Sequence, residues 1–487
     1  MEAMQGQHLG ATGAGAGERT GIQKLSWIQR AEAAPYFVDE EGRNWTPIGQ
    51  NDAITWPDLQ GLFRRKNLKA AEDYLLYLKA HGVTCLRLML EYCQTENRYL
   101  ERPVGRFQPN MVKLWDDLFF LCEKHGLRIL LTPFDTFWMW LRWKKHPYNK
   151  VLGGPCARRN QWLLCPDTLE AIKGRLTFAT RRWGGSGVLF AWDLWNEIHP
   201  AHANNSTDTF YHFITQISTH LRQVEISLYG RTHLQTISLF GPVLQEHPAV
   251  ADVIFRHPGL DFATTHFYDT KTINHPKDTV ASALCTGRLV REALEHLAIN
   301  RPFFDSEHGP IHAFKDKRCT LPQPFDDEYF RHIQWAHLAS GAAGGGMRWP
   351  YRRPHVLTES MRQAQQNLSQ FIAFINWSTF QRRNLNQEVK LSTKVFAVFA
   401  CADARQAIVW LLRQDQLDKK GMIRVDAEHL PVTILIPYMQ PGDYQVYFWN
   451  TVSGVVGGAR IEKLGEGEMM IETPSISSDL ALAIVRI

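Results

Sequence analysis

Four short stretches carry side chains able to do chemistry, and each closes an apolar run. They are VLFAWDLWNEIHP at 188–200, ATTHFYD at 263–269, FFDSEHG at 303–309 and GGGMRWP at 344–350. Burying a carboxylate without a partner is expensive, so the Asn196-Glu197 pair ending the first run belongs at an open mouth. Taken alone, that run reads equally well as a core strand leaving for solvent. It is not alone. His266, Tyr268, Asp305, Glu307, Arg348 and Trp349 end the other runs, Arg87 lies within a further one, and Asp135 follows another. Two carboxyls with an arginine, a histidine and a tyrosine are equipment for proton-transfer chemistry. Each residue also has a bland reading: Arg87 as the balance of a buried carboxylate, His266 as a satisfied core histidine.

The elements that position these groups follow from periodicity. Tyr36 to Gln50 has two extended runs around Glu-Glu-Gly-Arg, a hairpin that leads into a first buried strand near Ile48. Helical spacing then covers 68–81 and 111–125, each closed by a glycine, Gly82 and Gly126. Strands are expected at 85–90, 128–134, 188–195, 234–240, 262–268, 303–307 and 344–349. Helices are expected at 167–183, 206–229, 249–256, 277–298, 326–340 and 358–377. A long loop, 135–166, carries Trp138, Trp140, Trp143, Tyr148 and Trp162.

Eight strand-then-helix units in about 330 residues call for a closed parallel barrel with helices outside. An open doubly wound sheet would want a glycine-rich phosphate loop after its first strand. Gly49-Gln50-Asn51-Asp52 is not one. Barrel enzymes work at the carboxyl ends of their strands, and that is where the polar and aromatic residues gather. From about Leu385 short alternating runs broken by Gly, Pro and Asp turns predict a small antiparallel β-sandwich. The expected organisation is a flexible tail over 1–22, a (β/α)8 barrel over 23–384 and the sandwich over 385–487. Without a Pro- or Gly-rich linker, the sandwich should pack rigidly on the barrel, as a structural partner or as a carbohydrate-binding module.

Composition narrows the function classes. A chain of 487 residues with 44% hydrophobic and 21% charged residues is an ordinary globular one. Its net charge of +5 is small, and no basic stripe predicts nucleic-acid binding. The RWKK cluster at 142–145 reads as a solvated loop. No apolar run is long enough to span a membrane. The first twenty residues lack the pattern of a secretory signal, so the expected location is cytoplasmic. Eight cysteines without CxxC spacing argue against a zinc site, and neither metal nor cofactor is expected. Cys156 and Cys165 are the one candidate pair across a loop; reduced thiols are the simpler account. The many aromatic residues serve core filling, sugar stacking, or both.

With these motifs in view, the chain resembles the retaining β-glycosidases of glycoside hydrolase clan A, most closely family 5. The resemblance covers roughly residues 35 to 380 and rests on Trp-Asp-Leu-Trp-Asn-Glu, His-Phe-Tyr, Glu307 and Trp349 as a set. It implies that Glu197 is the acid/base and Glu307 the nucleophile. It implies further that Asn196 binds a sugar 2-hydroxyl, Tyr268 and Arg87 support Glu307, His266 supports Glu197, and Trp349 floors the sugar site. The physical logic agrees, since glycosidic cleavage needs one carboxyl protonated and one ionised. Many family 5 members have a histidine near the end of strand three, where this chain has Pro133, Phe134 and Asp135. Asp135 is expected to take over a hydroxyl contact, and Trp138 to offer a sugar platform from the following loop.

Within this reading β-mannan or β-mannosides are the leading substrates, by overall similarity to mannanase-like members. A β-glucan or cellulose hydrolase, an exo-acting β-glycosidase and a transglycosylase use the same residues. A non-catalytic sugar-binding barrel is the alternative from another class.

Overall fold

A computed structural model describes residues 24–64, 67–91, 99–298, 300–311, 321–350 and 356–487. The tail expected over 1–22 lies outside the described residues. A hairpin-like antiparallel sheet opens the chain: β1 (Ile28–Arg30), β2 (Phe37–Asp39) and β3 (Asn44–Trp45). Next come β4 (Gly49–Asp52), β5 (Cys85–Met89), β6 (Arg128–Thr132), β7 (Leu189–Asp193) and β8 (Leu234–Thr236), which form a parallel sheet in that order. After a break at Ile237, β9 (Ser238–Phe240), β10 (Ala263–Phe267) and β11 (Phe303–His308) continue it, also parallel.

Closure falls to residues 347–349. Met347 donates its N–H to Asp305, Trp349 donates to His308, and Asn51 donates to the Arg348 carbonyl across to β4. Parallel bridges pair Arg348 with both Gln50 and His308. The eighth strand expected at 344–349 is therefore a set of bridges rather than a ladder. Its glycines explain why: Gly344 and Gly346 have φ of 116° and 76°, and a Cβ on Gly346 would lie 2.8 Å from the His337 ring. Gly49 is required for a different reason, because a Cβ there would sit 1.7 Å from the Cys85 carbonyl oxygen.

The amino end of the barrel is sealed by aromatic rings. Phe37 meets Phe190, Phe262 and Phe304 edge-on at 5.2, 5.4 and 6.4 Å, and Trp45 lies 4.4 Å from Phe190. Burying one such ring contributes roughly 2 kcal/mol, so the opening strands are a plug for the barrel floor. With the floor shut, the only end left for chemistry is the carboxyl end.

The outer helices are α1 (Gln60–Arg64), α2 (Leu68–Ala80), α3 (Pro109–His125), α4 (Thr136–Leu141), α5 (Pro166–Trp183), α6 (Thr207–Tyr229), α7 (Gly241–Glu246), α8 (Pro248–Phe255), α9 (Thr279–Glu295), α10 (Gln323–Ala339) and α11 (Glu359–Phe371). Local chemistry sets their ends. Ser206 Oγ accepts the Thr209 N–H at the start of α6, and Gly230 closes it with φ 70°. The last helix stops at Phe371 and continues as a 3₁₀ turn (Ile372–Phe374), short of the expected 377. The stretch 135–166 is more ordered than a loop: besides α4 it holds three 3₁₀ turns, and Tyr148 and Trp162 are fully buried anchors.

Beyond the barrel, β12 (Arg383–Asn384), β14 (Phe396–Ala402), β15 (Gln406–Arg413), β20 (Asp479–Arg486), β17 (Gly442–Asn450) and β18 (Val455–Leu464) make an antiparallel sheet. A second sheet holds β13 (Lys390–Leu391), β16 (Thr433–Ile436) and β19 (Met469–Glu472). Side chains alternate faces along a strand. In β15, Val409 and Leu411 fill the sandwich with Ile434 and Ile471, while Ile408, Trp410 and Leu412 join a core shared with Trp335 and Ala336 of α10. An ion pair between part-buried Arg331 and buried Asp479, Nη1 to Oδ1 at 2.7 Å, pins the same seam. The sandwich and the barrel thus share one apolar core.

Candidate active site

The two glutamates meet at the carboxyl end of the barrel. Glu197 follows β7 at a left-handed backbone position, φ 49°, which a non-glycine residue holds only under compensation. Its neighbour Asn196 bridges to Asp135, donating its N–H to the Phe134 carbonyl, and the Ser238 hydroxyl accepts the Glu197 N–H at 3.2 Å. On the opposite wall, the pairing of β10 with β11 slips by one residue: Thr265 faces Asp305, but His266 faces Glu307. Ser306 is the extra residue, and this bulge sets Glu307 beside His266.

One oxygen of each glutamate and one His266 nitrogen lie within 4.8 Å of one another. His266 Nδ1 is 2.8 Å from Glu197 Oε1 and 3.9 Å from Glu307 Oε2. Tyr268 donates its hydroxyl to Glu307 Oε1 at 2.7 Å, and Arg87 Nη1 donates to Glu307 Oε2 at 2.9 Å. Arg87 is only 1% exposed, yet its donors are well occupied: Asp193 Oδ2 at 2.7 Å, Asn51 Oδ1 at 2.9 Å and the side-chain Oδ1 of Asn196. A buried guanidinium is tolerable only with such a ring of acceptors.

The electrostatics separate the two acids. Burial pushes the Glu197 carboxyl up to about 7, against the pull of Arg87 and with the push of Asp193. Burial also lifts Glu307, with the Glu197 charge adding to it, but Arg87 and the Tyr268 hydroxyl oppose it directly. The arginine bonds Glu307 and not Glu197, so the proton shared by this pair belongs on Glu197. Burial lowers His266 to about 4, which keeps the ring neutral.

All nine residues singled out in the sequence come to this mouth. Asp135 enters through Asn196, whose side-chain amide donates to its Oδ1, while Oδ2 accepts the Trp138 N–H as the cap of α4. Both oxygens are thus engaged within the protein, where a free hydroxyl contact was expected. Burial, with the Glu197 charge adding to it, lifts Asp135 to about 7. Trp138 and Trp349 share an apolar cluster with Ala53, Trp56 and Met89, and Trp56 meets Trp349 edge-on at 5.1 Å. Cys156 and Cys165 do not pair; each thiol donates to a nearby carbonyl.

Sequence reasoning missed five contributors: Asn51, Asp193, Ser238, Ser306 and Trp56. Asp193 accepts from Arg87 and from Ser238 Oγ at 3.0 Å, and Ser306 Oγ stands 3.2 Å from His266 Nε2. Asp193 carried a usable signal, an acid inside an apolar strand at the interval of two that matches Arg87 facing inward.

No family model and no curated relative match the sequence. Solved structures match in fold. A glycoside hydrolase family 5 structure from Bacteroides vulgatus has a TM-score of 0.59 at 12% identity, covering 94% of this chain and 93% of that one. A family 5 mannosidase from Rhizomucor miehei, in complex with mannosyl-fructose, gives 0.52 at 14% identity over 71% of this chain and 97% of that one. An exo-β-1,4-mannosidase from an Opitutaceae bacterium gives 0.50 at 18% identity over 69% and 58%. The expected likeness to family 5 is borne out at the level of architecture: a (β/α)8 barrel with an antiparallel sheet domain behind it.

Proposed function

We propose that the chain is a retaining β-glycosidase working by double displacement, with β-mannosides or β-mannan as its substrates. One observation carries the reading: two carboxyls within 4.8 Å of each other, one bonded to a neutral histidine and the other to an arginine and a tyrosine. Retention needs the carboxyls about 5 to 5.5 Å apart, whereas inversion needs room for a water and up to ~9.5 Å. The mannose preference draws on the mannosidases among the structural neighbours, whose own names supply it.

In the first step a Glu307 oxygen attacks the anomeric carbon as Glu197 gives its proton to the departing glycosidic oxygen. The C–O bond breaks and a glycosyl ester forms. In the second, Glu197 takes a proton from water, the water oxygen attacks the same carbon, and Glu307 leaves as the carboxylate. Another alcohol in place of water makes the same step a transfer. Arg87 and Tyr268 would favour the Glu307 anion at both ends of the cycle, and Asn196 is held for the 2-hydroxyl by Asp135. Trp349, with Trp138 and Trp56, would floor the sugar ring.

The barrel, 23–384, is proposed as the catalytic unit and 385–487 as its structural partner. The six described cysteines are free, which suits a reducing compartment. Among the described residues no helix is long and apolar enough to cross a membrane. The test is azide rescue of Glu307→Gly on aryl β-glycosides: a glycosyl azide of inverted configuration is expected. Release by the parent from gluco- but not manno-configured substrates would move the reading to β-glucans, and no release from any panel member would overturn it.

A further inference from the structure

The segment after β6 holds a second feature that the glycosidase chemistry does not use. Between Thr136 and Pro166 the sequence has six lysines and arginines and no aspartate or glutamate, against a net charge of +5 for the whole chain. The charge excess of the molecule is therefore concentrated in one loop. That loop folds around an open cleft of about 590 Å³ whose walls include Trp140, Trp143, Lys144, Lys145, Arg158 and Arg159. All four of these cations are exposed. Among the described residues, Lys144, Lys145 and Arg158 have no carboxylate partner, and no acid lines the cleft.

The cleft is built rather than improvised. Trp140 Nε1 donates to the Arg159 carbonyl at 2.9 Å, and Arg159 Nη1 donates back to the Trp140 carbonyl at 3.2 Å. Its guanidinium lies 5.5 Å from the Trp140 ring centroid. Trp143 stacks on His146 at 6.0 Å, and beneath them Trp162 is fully buried. The cations thus project from a rigid aromatic base. Such a base suits the flat faces of sugar rings, and the unpaired cations suit their negative substituents.

The cleft also adjoins the mouth on the Glu197 side. Trp140 lies 5.2 Å from His199, two residues after Glu197, and 5.1 Å from His202. From the same short helix, Trp138 joins the Trp349 cluster. Residues two apart on a helix point to nearly opposite sides, so α4 offers one indole to each site. The leaving group of a glycosidase departs on the side of its acid.

We infer that this cleft is a binding site for an acidic saccharide, one bearing carboxylate or sulfate groups, next to the leaving-group side of the catalytic mouth. The saccharide part of this inference rests on the glycosidase reading; the anionic part rests on the cleft alone. A nucleic acid would meet the same charges, but the cations sit in one concave rim beside the mouth and not along a face a polymer backbone could follow.

The experiment is direct binding to the full chain carrying Glu307→Gln, so that turnover plays no part. Probes are an oligoglucuronate, a sulfated oligosaccharide of equal length, a neutral manno-oligosaccharide of equal length and a single-stranded RNA oligomer. At least one acidic saccharide should bind about tenfold or more tighter than the neutral one, and the tighter arm identifies the group. Lys144→Glu with Lys145→Glu should abolish that advantage, while leaving hydrolysis of a small neutral aryl glycoside by the otherwise parent chain unchanged. Arg158→Glu should act in the same direction. Equal binding of acidic and neutral saccharides, an advantage that survives charge reversal, or RNA binding tighter than either acidic saccharide would each overturn the inference. Should no glycoside be hydrolysed while the acidic preference persists and responds to Lys144 and Lys145, the catalytic reading fails and the cleft stands.

Discussion

His266 Nδ1 lies 2.8 Å from Glu197 Oε1 while the other ring nitrogen lies 3.2 Å from the Ser306 hydroxyl. The ring is neutral, so it carries one proton to share between two neighbours. A hydroxyl donates or accepts, and Ser306 can therefore match either tautomer. When Glu197 is protonated it donates to Nδ1, and Nε2 donates to Ser306. When Glu197 is ionised, Nδ1 donates to it and Ser306 donates to Nε2. Glu197, the proposed acid/base, thus keeps a hydrogen bond in both of its protonation states.

Ser306→Ala should remove that adaptability without touching substrate. kcat is expected to fall about tenfold with KM little changed, a part of the roughly 10²–10⁴ that a general acid/base contributes. The alkaline limb of the kcat profile should move as well, and Ser306→Thr should restore most of both. A Ser306→Ala enzyme with parental kcat and pH limbs would dismiss the role.

As the proposed acid, Glu197 is expected to set the alkaline side of activity and part of the stability. Its carboxyl is raised to about 7 in the fold, so kcat/KM should decline as pH rises through about 7 and the acid loses its proton. The folded form binds this proton more tightly than the unfolded chain does. Its stabilising share is therefore full below the ordinary glutamate range and lost as pH rises through about 7. That loss is on the order of 3 kcal/mol. Glu197→Gln should narrow the Tm difference between pH 5 and pH 9 by a few degrees in thermal melts. Asp52 and Asp135, both raised to about 7 chiefly by burial, carry the same sign and keep the profile from flattening fully.

Arg87 is held by acceptors from β4, β7 and β11 and by Asn196 just after β7, which an ammonium cannot reproduce. Arg87→Lys is expected to keep the fold and lose about 10² in kcat/KM, with the acidic limb moving up as the Glu307 anion loses its guanidinium neighbour. Arg87→Ala leaves Asp193 and Glu307 buried and unpaired, and should cost about 3–5 kcal/mol in denaturant unfolding. A Lys variant with a parental acidic limb would show that the Tyr268 hydroxyl holds Glu307 ionised without the guanidinium.

Much of this site is legible in the sequence because parallel strands buried on both faces read as apolar runs, and their ends stand out where polarity begins. Glu197, His266 and Glu307 are visible for that reason. Asn51, Ser238 and Ser306 are not, since a small polar residue inside a strand looks the same whether it bonds the backbone or a catalytic carboxyl. The bulge at Ser306 leaves no sequence mark at all. The eighth strand misleads in the other direction: GGGMRWP reads as a strand, but its glycines serve close packing against His308 and His337 and leave only bridges. In 135–166 the run of aromatic residues hides α4, although Asp135 three residues before its capped N–H is an ordinary helix start.

The bulge itself depends on Asp305. Its Oδ1 accepts the Phe267 N–H at 3.1 Å and the Glu307 N–H at 3.3 Å, while His337 Nε2 lies 3.0 Å from Oδ2. His337 Nδ1 donates to the Ile333 carbonyl at 2.8 Å, so Nε2 must share one further proton with Asp305. Against burial, hydrogen bonds from His308 and His337 hold the Asp305 carboxyl below its usual range. Asp305→Asn keeps an oxygen for the two backbone donors and offers its amide to a neutral His337. It should fold within about 1–2 kcal/mol of the parent and retain measurable turnover. Asp305→Leu leaves both N–H groups and the imidazole unpaired in a buried layer, and about 3 kcal/mol or more should be lost. Because the strand would then be free to lose its bulge, setting Ser306 opposite His266 and Glu307 opposite Phe267, kcat should fall further than stability alone accounts for at temperatures where the variant is folded. Equal stability and equal kcat for the Asn and Leu variants would mean that the bulge is held by the strand pairing itself and that Asp305 contributes only bulk.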